Sequence, residues 1–319
     1  MLDVRVTAPH AIVEGVSARL VDDPTVSNLA QVRGVTPDGA GDVLLFEVAR
    51  ENADAVVQML RDSGVPETGS IVVSETLTVV SAAADAAERA APGHPADGVL
   101  WAQLADRSRE DARWSSNFFL FLLLATLIAG IGRILDQPIL IIGAMVVGPE
   151  FAAVAALCYG VVRRQGRIAA GAAATLVGGF AACAVIAWVV WAIVYRLGWI
   201  TYEQATSGPL TDFIIAPDAW SFVIAVIAGV AGVLSLTSSK SAALVGVFIS
   251  ITTVPAVGTI GLTAAVGAWQ ETASALLQLG INVAGLLVAG VVTLLVQVHV
   301  TPRRPVGAAR ATRPIVPAP

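Results

Sequence analysis

The sequence predicts an α-helical integral membrane protein, in which six transmembrane helices form two inverted three-helix repeats and follow a small α+β domain. Three observations predict this class. The 319 residues are 56% hydrophobic and 13% charged, whereas an average soluble domain is about 25% charged. Residues 1–114 contain nine arginines and eighteen acidic residues, so their net charge is −9. The remaining residues contain ten basic and six acidic residues, and long apolar stretches fill most of them.

Residues 115–300 are predicted to form the transmembrane domain. A spanning helix needs about 20 apolar residues, because each residue advances about 1.5 Å through about 30 Å of hydrocarbon. Six stretches reach this length: 116–135, 138–160, 168–195, 219–236, 241–266 and 273–299. We therefore expect a multi-pass protein in the lipid bilayer of the cytoplasmic membrane.

The basic residues of the loops predict that both termini are cytoplasmic, because cytoplasmic loops carry an excess of arginine and lysine. With six spans, one side of the membrane receives Arg107, Arg109, Arg113, Arg163, Arg164, Arg167, Lys240, Arg303 and Arg304. The long loop 196–218, with Glu203 and Asp212, falls on the other side. The start MLDVRVTAPH lacks the features of a cleavable signal peptide, so the N-terminal domain is also expected in the cytoplasm.

Two pairs of similar segments predict the internal repeat. TLIAGIGRIL (126–135) resembles AVIAGVAGVL (225–234), and IIGAMVVGP (141–149) resembles LVGVFISITTVP (244–255). Because each unit contains three helices, the second unit would insert upside down relative to the first, as in many secondary transporters. The alternative is that helices rich in alanine, glycine and valine resemble one another by composition alone.

A carboxylate beside a proline marks a candidate site in the second span. Pro149 has no N–H and disrupts a helix, while Gly148 permits close approach of another group. Backbone groups freed there need protein or a wet cavity, because lipid cannot bond them. Glu150, midway along the span, is therefore a candidate for binding a cation or carrying a proton. The structural alternatives are an ion pair, for instance with Arg133, a side chain that reaches an interface, or a protonated side chain that only forms hydrogen bonds.

The fifth span contains a matching feature at Thr252, Thr253 and Pro255, where hydroxyls and freed carbonyls could coordinate a cation; the alternative is an ordinary kink. The predicted translocation site therefore comprises Gly148, Pro149, Glu150, Thr252, Thr253 and Pro255. The sequence has no phosphate-binding loop and no hydrolase or nucleophile-elbow motif. We expect no enzymatic activity, no cofactor and no metal site.

Residues 1–80 are predicted to form a separate soluble domain. Strand-like runs occur around 2–8, 26–35, 43–49 and 70–81, and two amphipathic helices lie between the first and second and between the third and fourth. The resulting βαββαβ order is that of ferredoxin-like domains. The acidity of the domain argues against nucleic acid as a partner.

Small ligand-sensing domains of the ACT type have a similar order and length, so a small metabolite or nucleotide is the expected ligand. The predicted site is the first strand-to-helix corner, Thr7, Pro9 and His10, where a helix start exposes N–H groups that suit an anion. The alternative is an oligomerisation domain or structural cap, since fold alone decides little. Ferredoxin-like domains often pair, so a homo-oligomer is expected.

The remaining segments are predicted as connections. Residues 81–114 read as a linker, rich in alanine, proline and glycine over 81–98, followed by a short amphipathic pre-membrane segment. Residues 301–319 read as a disordered cytoplasmic tail.

The run NFFLFLLLATLIAGIGRILDQPILIIGAMVVGPEFAAVAAL (117–157) resembles the hallmark segment of a bacterial membrane family, the domain of unknown function 389. The resemblance covers about residues 100–300 and is specific at Ile142, Gly143, Ala144, Met145 and Pro149. Glu150 stands where an apolar residue is more usual, so the resemblance assigns it no role. The family resemblance implies the membrane architecture, but it identifies no substrate.

Two functions from different classes follow from the sequence. The first is a transporter or channel for a small solute or ion, gated by ligand binding to the cytoplasmic domain. The second is a membrane-anchored ligand sensor that transports nothing. A purely structural membrane scaffold is a third option.

Overall fold

A computed structural model describes residues 1–37, 39–76, 78–91, 93, 98–216, 218–237 and 252–300. The chain divides into an N-terminal unit, within Met1–Gln103, and a helical unit that comprises most of Leu104–His299. Each unit has its own buried residues.

The N-terminal unit is built on a four-stranded antiparallel sheet. Its elements are β1 (Leu2–Pro9), α1 (His10–Val21), β2 (Val26–Val32), β3 (Gly41–Val48), α2 (Arg50–Asp62), the single turn α3 (Val65–Thr68) and β4 (Ser70–Glu75). The strands lie in the order β2-β3-β1-β4, and every neighbouring pair is antiparallel. The predicted succession of strands and helices is confirmed, with α3 as an addition.

The alternating pattern of β1 places its apolar side chains in the core of this unit. Leu2, Val4 and Val6 are at most 2% exposed, because successive residues of a strand face opposite sides of the sheet. They pack with the apolar faces of the two long helices, including Val16 of α1 and Leu60 of α2. The core thus fixes the corner between β1 and α1 that carries the predicted ligand site.

Residues predicted as a linker contain a helix. The strand expected over 70–81 ends at Glu75, and α4 follows at Ala82–Ala90. The Ser81 hydroxyl accepts the N–H of Ala84 at 3.4 Å, which caps the helix. The buried side chains of α4 are alanines, which carry too little apolar surface to give a core pattern in the sequence. The predicted pre-membrane segment forms α5 (Trp101–Asp111).

The helical unit contains long apolar helices. Its elements are α6 (Ser116–Ile134), α7 (Pro138–Val147), α8 (Glu150–Val162), α9 (Gly166–Arg196), α10 (Tyr202–Thr206), a 3-10 turn (Asp212–Ile214), α11 (Ala219–Thr237), α12 (Thr253–Ala265) and α13 (Trp269–Val300). In the described part of the chain, α6, α9, α11 and α13 are each long and apolar enough to cross a membrane. Helices α7 and α8 meet at a 50° bend and make a fifth crossing if they form one span.

The surface of these helices is apolar. Val177 of α9 is 66% exposed, Ile227 of α11 is 63% exposed and Leu277 of α13 is 58% exposed. Soluble monomers rarely expose large apolar patches, and lipid is the solvent that such a surface fits. The protein is therefore a membrane protein.

The fifth predicted span, 241–266, is described only in part. Helix α12 begins at Thr253 and has 13 residues, whereas 241–251 and Lys240 lie outside the described residues, as does most of the segment 244–255 used for the repeat. The predicted tail 301–319 also lies outside them. Six spans and the inverted repeat stay predictions.

Two glycines bring α12 into close contact with its neighbours. A Cβ atom at Gly258 would lie 2.6 Å from the carbonyl oxygen of Thr126 in α6. A Cβ atom at Gly261 would lie 2.7 Å from the Cβ atom of Ala187 in α9. Small residues allow such close helix packing in membranes, and these two place α12 directly against α6 and α9.

Candidate functional site

The predicted break in the second span is confirmed. Helix α7 ends at Val147, Gly148 has an extended backbone, and α8 begins directly after Pro149. Pro149 has no N–H to donate to the carbonyl oxygen of Met145, so a continuous helix loses a hydrogen bond at this point. The break orients the N-terminus of α8 toward the interior of the unit, where its first residue, Glu150, is buried.

The carboxylate of Glu150 has one bonded and one unbonded oxygen. The side chain is 6% exposed, and its Oε1 accepts a hydrogen bond from Thr253 Oγ1 at 2.6 Å. Its Oε2 is buried and has no hydrogen-bond partner among the described residues. A Cβ atom at Gly148 would lie 2.4 Å from Oε2, so the absence of a side chain there makes room for this oxygen.

The second predicted feature of the site is a helix start. Thr252 precedes α12, and Pro255 is the third residue of the helix. In the first turn the missing proline N–H leaves no helical acceptor unbonded, so Pro255 suits the start of α12. A break with a preceding helix would involve 241–251, outside the described residues. Thr252 Oγ1 accepts a hydrogen bond from Asn282 Nδ2 at 2.7 Å.

The structure brings the two predicted features together. Glu150 and Thr253 are the first residues of α8 and α12 and bond to each other across 103 residues of sequence. Gly148 is close to the second helix as well, because its Cβ position lies 2.8 Å from Val254 Cγ2. Each helix N-terminus carries about half a positive charge, so two of them stabilise the carboxylate. Together they form a buried polar junction, the α8–α12 junction, defined by Gly148, Pro149, Glu150, Thr252, Thr253 and Pro255.

Sequence reasoning missed two residues beside this junction. Asn282, which bonds to Thr252, is 3% exposed, and Gln278 one turn earlier on α13 is 2% exposed. Gln278 Oε1 has no hydrogen-bond partner within the described part of the chain. Two amides spaced by four residues lie on one face of a helix, and in a 32-residue apolar helix that spacing was the available signal.

Arg133 is not the partner of Glu150, so that structural alternative is wrong. The arginine is fully buried at the end of α6, and its Nη1 donates to Thr211 Oγ1 at 2.9 Å. Its Nη2 donates to the carbonyl oxygen of Thr206 at 2.9 Å and lies 2.8 Å from Asp212 Oδ1, an ion pair by distance. Arg133 thus fastens the loop after α10. No ion pair to Glu150 occurs among the described residues.

The predicted ligand site of the N-terminal unit is divided by the structure. Thr7 and Pro9 line a cleft of about 390 Å³, together with Thr36 and Thr68. His10 faces a different group, because its Nδ1 lies 2.6 Å from Asp42 Oδ2.

The N–H of His10, expected to be free for an anion, already donates to the carbonyl oxygen of Ala40 at 3.3 Å. Strand register explains why Asp42 lies beside His10, since β3 places Asp42 opposite Ala8. Hydrogen bonds from His10 and from the N–H of Gly34 lower the pKa of Asp42 to about 2. An ionised carboxylate beside the helix start disfavours a bound anion there.

Across the described ranges, no three His, Cys, Asp or Glu side chains come together as metal ligands. The oxygens able to hold an ion at the α8–α12 junction are Glu150 Oε2 and the hydroxyls of Thr252 and Thr253.

Comparison with known proteins identifies a domain within the helical unit. The sequence profile described as "Domain of unknown function (DUF389)" matches residues 145–288. An uncharacterised protein of Methanocaldococcus jannaschii is 28% identical over 191 residues, which is 60% of this chain and 57% of that protein. The chain thus spans little more than half the length of this curated relative, and no solved structure matches it. The resemblance inferred from residues 117–157 is confirmed: residues 145–288, with both helix starts of the junction, form a domain of the DUF389 family.

Proposed function

We propose that the protein is a membrane transporter or channel for a small solute or ion, with Glu150 in the translocation site. The observation that carries the proposal is the carboxylate of the α8–α12 junction. It is buried among apolar helices, it touches the starts of two helices, and its Oε2 has no partner among the described residues. A membrane-buried carboxylate with unused bonding capacity suits a cation or a proton.

A purely structural carboxylate would be arranged differently. Moving a charged group out of water costs roughly several kcal/mol unless hydrogen bonds or an ion pair offset this cost. Buried polar atoms are therefore nearly always bonded. Glu150 receives one hydroxyl and the field of two helix starts, which favours a site that exchanges a partner.

The wider architecture belongs to the same proposal. The first three-helix repeat would comprise α6 to α9, and the second repeat would run from α11 to α13. The protein would then have six spans, inverted halves and cytoplasmic termini. Broken helices that meet near the membrane midplane form the substrate site in transporters of this plan. The contact between the starts of α8 and α12 supports it. We further propose that the protein is a homo-oligomer without enzymatic activity, cofactor or nucleic-acid partner.

Gating is proposed to come from the N-terminal unit, as a cytoplasmic ferredoxin-like domain of ACT type. The cleft of about 390 Å³ with the hydroxyls of Thr7, Thr36 and Thr68 supports binding of a small metabolite or nucleotide there. Hydroxyls both donate and accept hydrogen bonds, so they suit a polar, neutral part of a ligand.

The test is ion flux in vesicles that contain the purified full chain. Proton, sodium and potassium gradients are imposed in turn, and uptake is followed with ion-sensitive dyes. The expected result is a flux that falls at least tenfold in Glu150→Gln. The matched control is Glu203→Gln, which makes the same change at an exposed residue of the short helix α10 and is expected to leave the flux intact. Flux that is equal in both variants would contradict the role of Glu150.

The cleft of the N-terminal unit favours a second candidate, a sensor without transport. It predicts that nucleotides or amino acids raise the thermal stability of the full chain, since a ligand that binds only the folded state stabilises it by mass action. Thr68→Val is expected to remove that shift. A ligand-dependent shift without flux of any tested ion would favour this candidate over the transporter.

A further inference from the structure

A second cleft, of about 610 Å³, lies in the helical unit away from the α8–α12 junction. It opens where the segment after α5 meets the start of α9. About 20 Å separates the two sites along α8, because 13 residues advance about 1.5 Å each. The lining includes Arg109, Arg113, Gln165, Gly166, Arg167 and Gly171, and no acidic residue lines it.

The walls of this cleft are held together by a close contact. The hydroxyl of Thr175 in α9 donates to the carbonyl oxygen of Ala112 at 3.1 Å. A Cβ atom at Gly171 would lie 3.0 Å from the same oxygen, so a glycine lets the segment lie directly on α9. The residue after Ala112 is Arg113, which this contact holds in the same cleft as Arg167.

The cationic side chains of the cleft are incompletely paired. Arg109 forms an ion pair with Asp106 on its own helix. The side chains of Arg113 and Arg167, by contrast, form no hydrogen bond or ion pair within the described residues. Both are exposed residues that line one cleft, and an anion between two guanidinium groups is attracted by both.

The backbone adds positive potential at the same place. Helix α9 has 31 residues and begins at Gly166, and the side chain of Gln165 caps none of its N–H groups. The first N–H groups of a helix have no intrahelical acceptor, and they favour an anion together with the helix dipole. Two features of independent origin, the arginine pair and the helix start, therefore face one cleft.

We propose that this cleft binds a phosphate group, presented by an anionic lipid headgroup or by a soluble phosphate. Guanidinium groups match the phosphate geometry with paired N–H donors, and nothing lies within 4 Å of the Cβ position of Gly166, which leaves space for the group. The position also suits a headgroup: Trp114 beside the cleft is 52% exposed, and α6 enters its apolar stretch at Ser116. Tryptophan is enriched at the membrane–water interface.

The experiment measures binding to the purified full chain in a neutral detergent by isothermal titration calorimetry. The probes are dioctanoyl phosphatidylglycerol, dioctanoyl phosphatidylcholine and inorganic phosphate. Affinity for at least one of phosphatidylglycerol and inorganic phosphate is expected to fall about tenfold or more in Arg113→Gln/Arg167→Gln, since charged hydrogen bonds are lost. Arg196→Gln, at the exposed far end of the same helix, is the matched control and is expected to change nothing.

The outcomes identify the source of the phosphate. Binding of phosphatidylglycerol that inorganic phosphate does not displace indicates a lipid site, and displacement indicates a site for soluble phosphate. Arg113→Lys/Arg167→Lys, which keeps the charge, is expected to retain part of the affinity. The proposal would be overturned if neither phosphatidylglycerol nor inorganic phosphate binds, or if Arg196→Gln loses as much affinity as Arg113→Gln/Arg167→Gln. The test needs no ion flux, so it stands or falls separately from the transport proposal.

Discussion

Asp42 in the N-terminal unit and Glu150 in the helical unit are buried to a similar degree, 2% and 6% exposed, but their carboxylates are bonded differently. Asp42 Oδ1 accepts the N–H of Gly34 at 2.9 Å, and its Oδ2 meets His10 at 2.6 Å and Gln31 at 2.8 Å. Glu150 has one side-chain partner among the described residues, the hydroxyl of Thr253. Burial alone therefore does not distinguish a structural carboxylate from a candidate site, whereas unused bonding capacity does.

Arg133 extends the comparison within the helical unit. It is as deeply buried as any residue there, yet the loop around Thr206 and Thr211 surrounds its guanidinium, and only its Nε lacks a partner in the part that the structure describes. Two buried charges of one unit thus differ in the same way as the two carboxylates. Arg133 is expected to act on stability and Glu150 on transport.

Replacing Arg133 with methionine is expected to have the largest effect. The change leaves the carbonyl of Thr206 and the hydroxyl of Thr211 without their donors, and Asp212 loses its ion pair. Removal of one partner of a buried pair costs about 3–5 kcal/mol, and the lower end is expected here because the Asp212 side chain is 50% exposed. The free energy of unfolding of the detergent-purified chain measures the loss.

Two controls decide how this result bears on the comparison. Arg196→Met makes the same change at an exposed position and is expected to stay within about 0.5 kcal/mol. Glu150→Gln is expected to lose less than about 1 kcal/mol, since the amide oxygen can still accept from Thr253. If Glu150→Gln destabilises as much as Arg133→Met, Glu150 is structural and the distinction fails.

A methyl group at Gly148 is expected to disturb the junction directly. Gly148→Ala places a Cβ atom 2.4 Å from Glu150 Oε2 and 2.8 Å from Val254 Cγ2, and overpacking of this kind costs about 1–3 kcal/mol. The ion flux is expected to fall with it. Gly143→Ala, in the same helix, is the matched control, since nothing lies within 4 Å of its Cβ position. Equal behaviour of the two variants would contradict the geometry of the site.

Removing the Thr253 hydroxyl, which donates to Glu150, is expected to have a smaller effect. Thr253→Val keeps the volume and removes the hydroxyl, and a hydrogen bond to a charged group contributes about 1.5–3 kcal/mol. The lower end is expected, because both helix starts still face the carboxylate. Thr293→Val, which loses a bond to the carbonyl of its own helix at Ala289, serves as the control. In a double-mutant cycle with Glu150→Gln, additive losses in unfolding free energy would show that the two side chains are not coupled.

Local patterns predicted much of this structure, and long-range contacts were beyond them. The alternation of Leu2, Val4 and Val6 was sufficient for β1, and Pro149 was sufficient for the break, because both effects act over a few residues. The sequence placed both features in one predicted site, but the partner of Glu150 lies 103 residues away, and no local pattern specifies the hydrogen bond between them.

Register explains the other differences. The pairing of Asp42 with His10 depends on how β3 aligns with β1, and a shift by one residue would turn Asp42 to the other face of the sheet. The sequence suggests Arg133 as a partner of Glu150 because both are ionisable residues in apolar helices. Its true partners lie in a loop whose path the sequence does not reveal.

The smallest effect is expected for Asp42→Asn, measured as the pH dependence of unfolding of the N-terminal unit within the full chain. The pKa of Asp42 is lowered to about 2, against about 3.9 in an unfolded chain. Its contribution to stability is therefore present above about pH 4 and is lost as the pH falls toward 2, because the unfolded state takes up the proton first. Asp42→Asn is expected to be less stable than wild type at pH 7 and to approach the stability of wild type near pH 2.

Asp3→Asn, which makes the same change at an exposed position of β1, is the control and should show no such convergence. A constant difference between Asp42→Asn and wild type from pH 7 to 2 would mean that the carboxylate charge of Asp42 contributes nothing, and the contrast with Glu150 would then rest on shape alone.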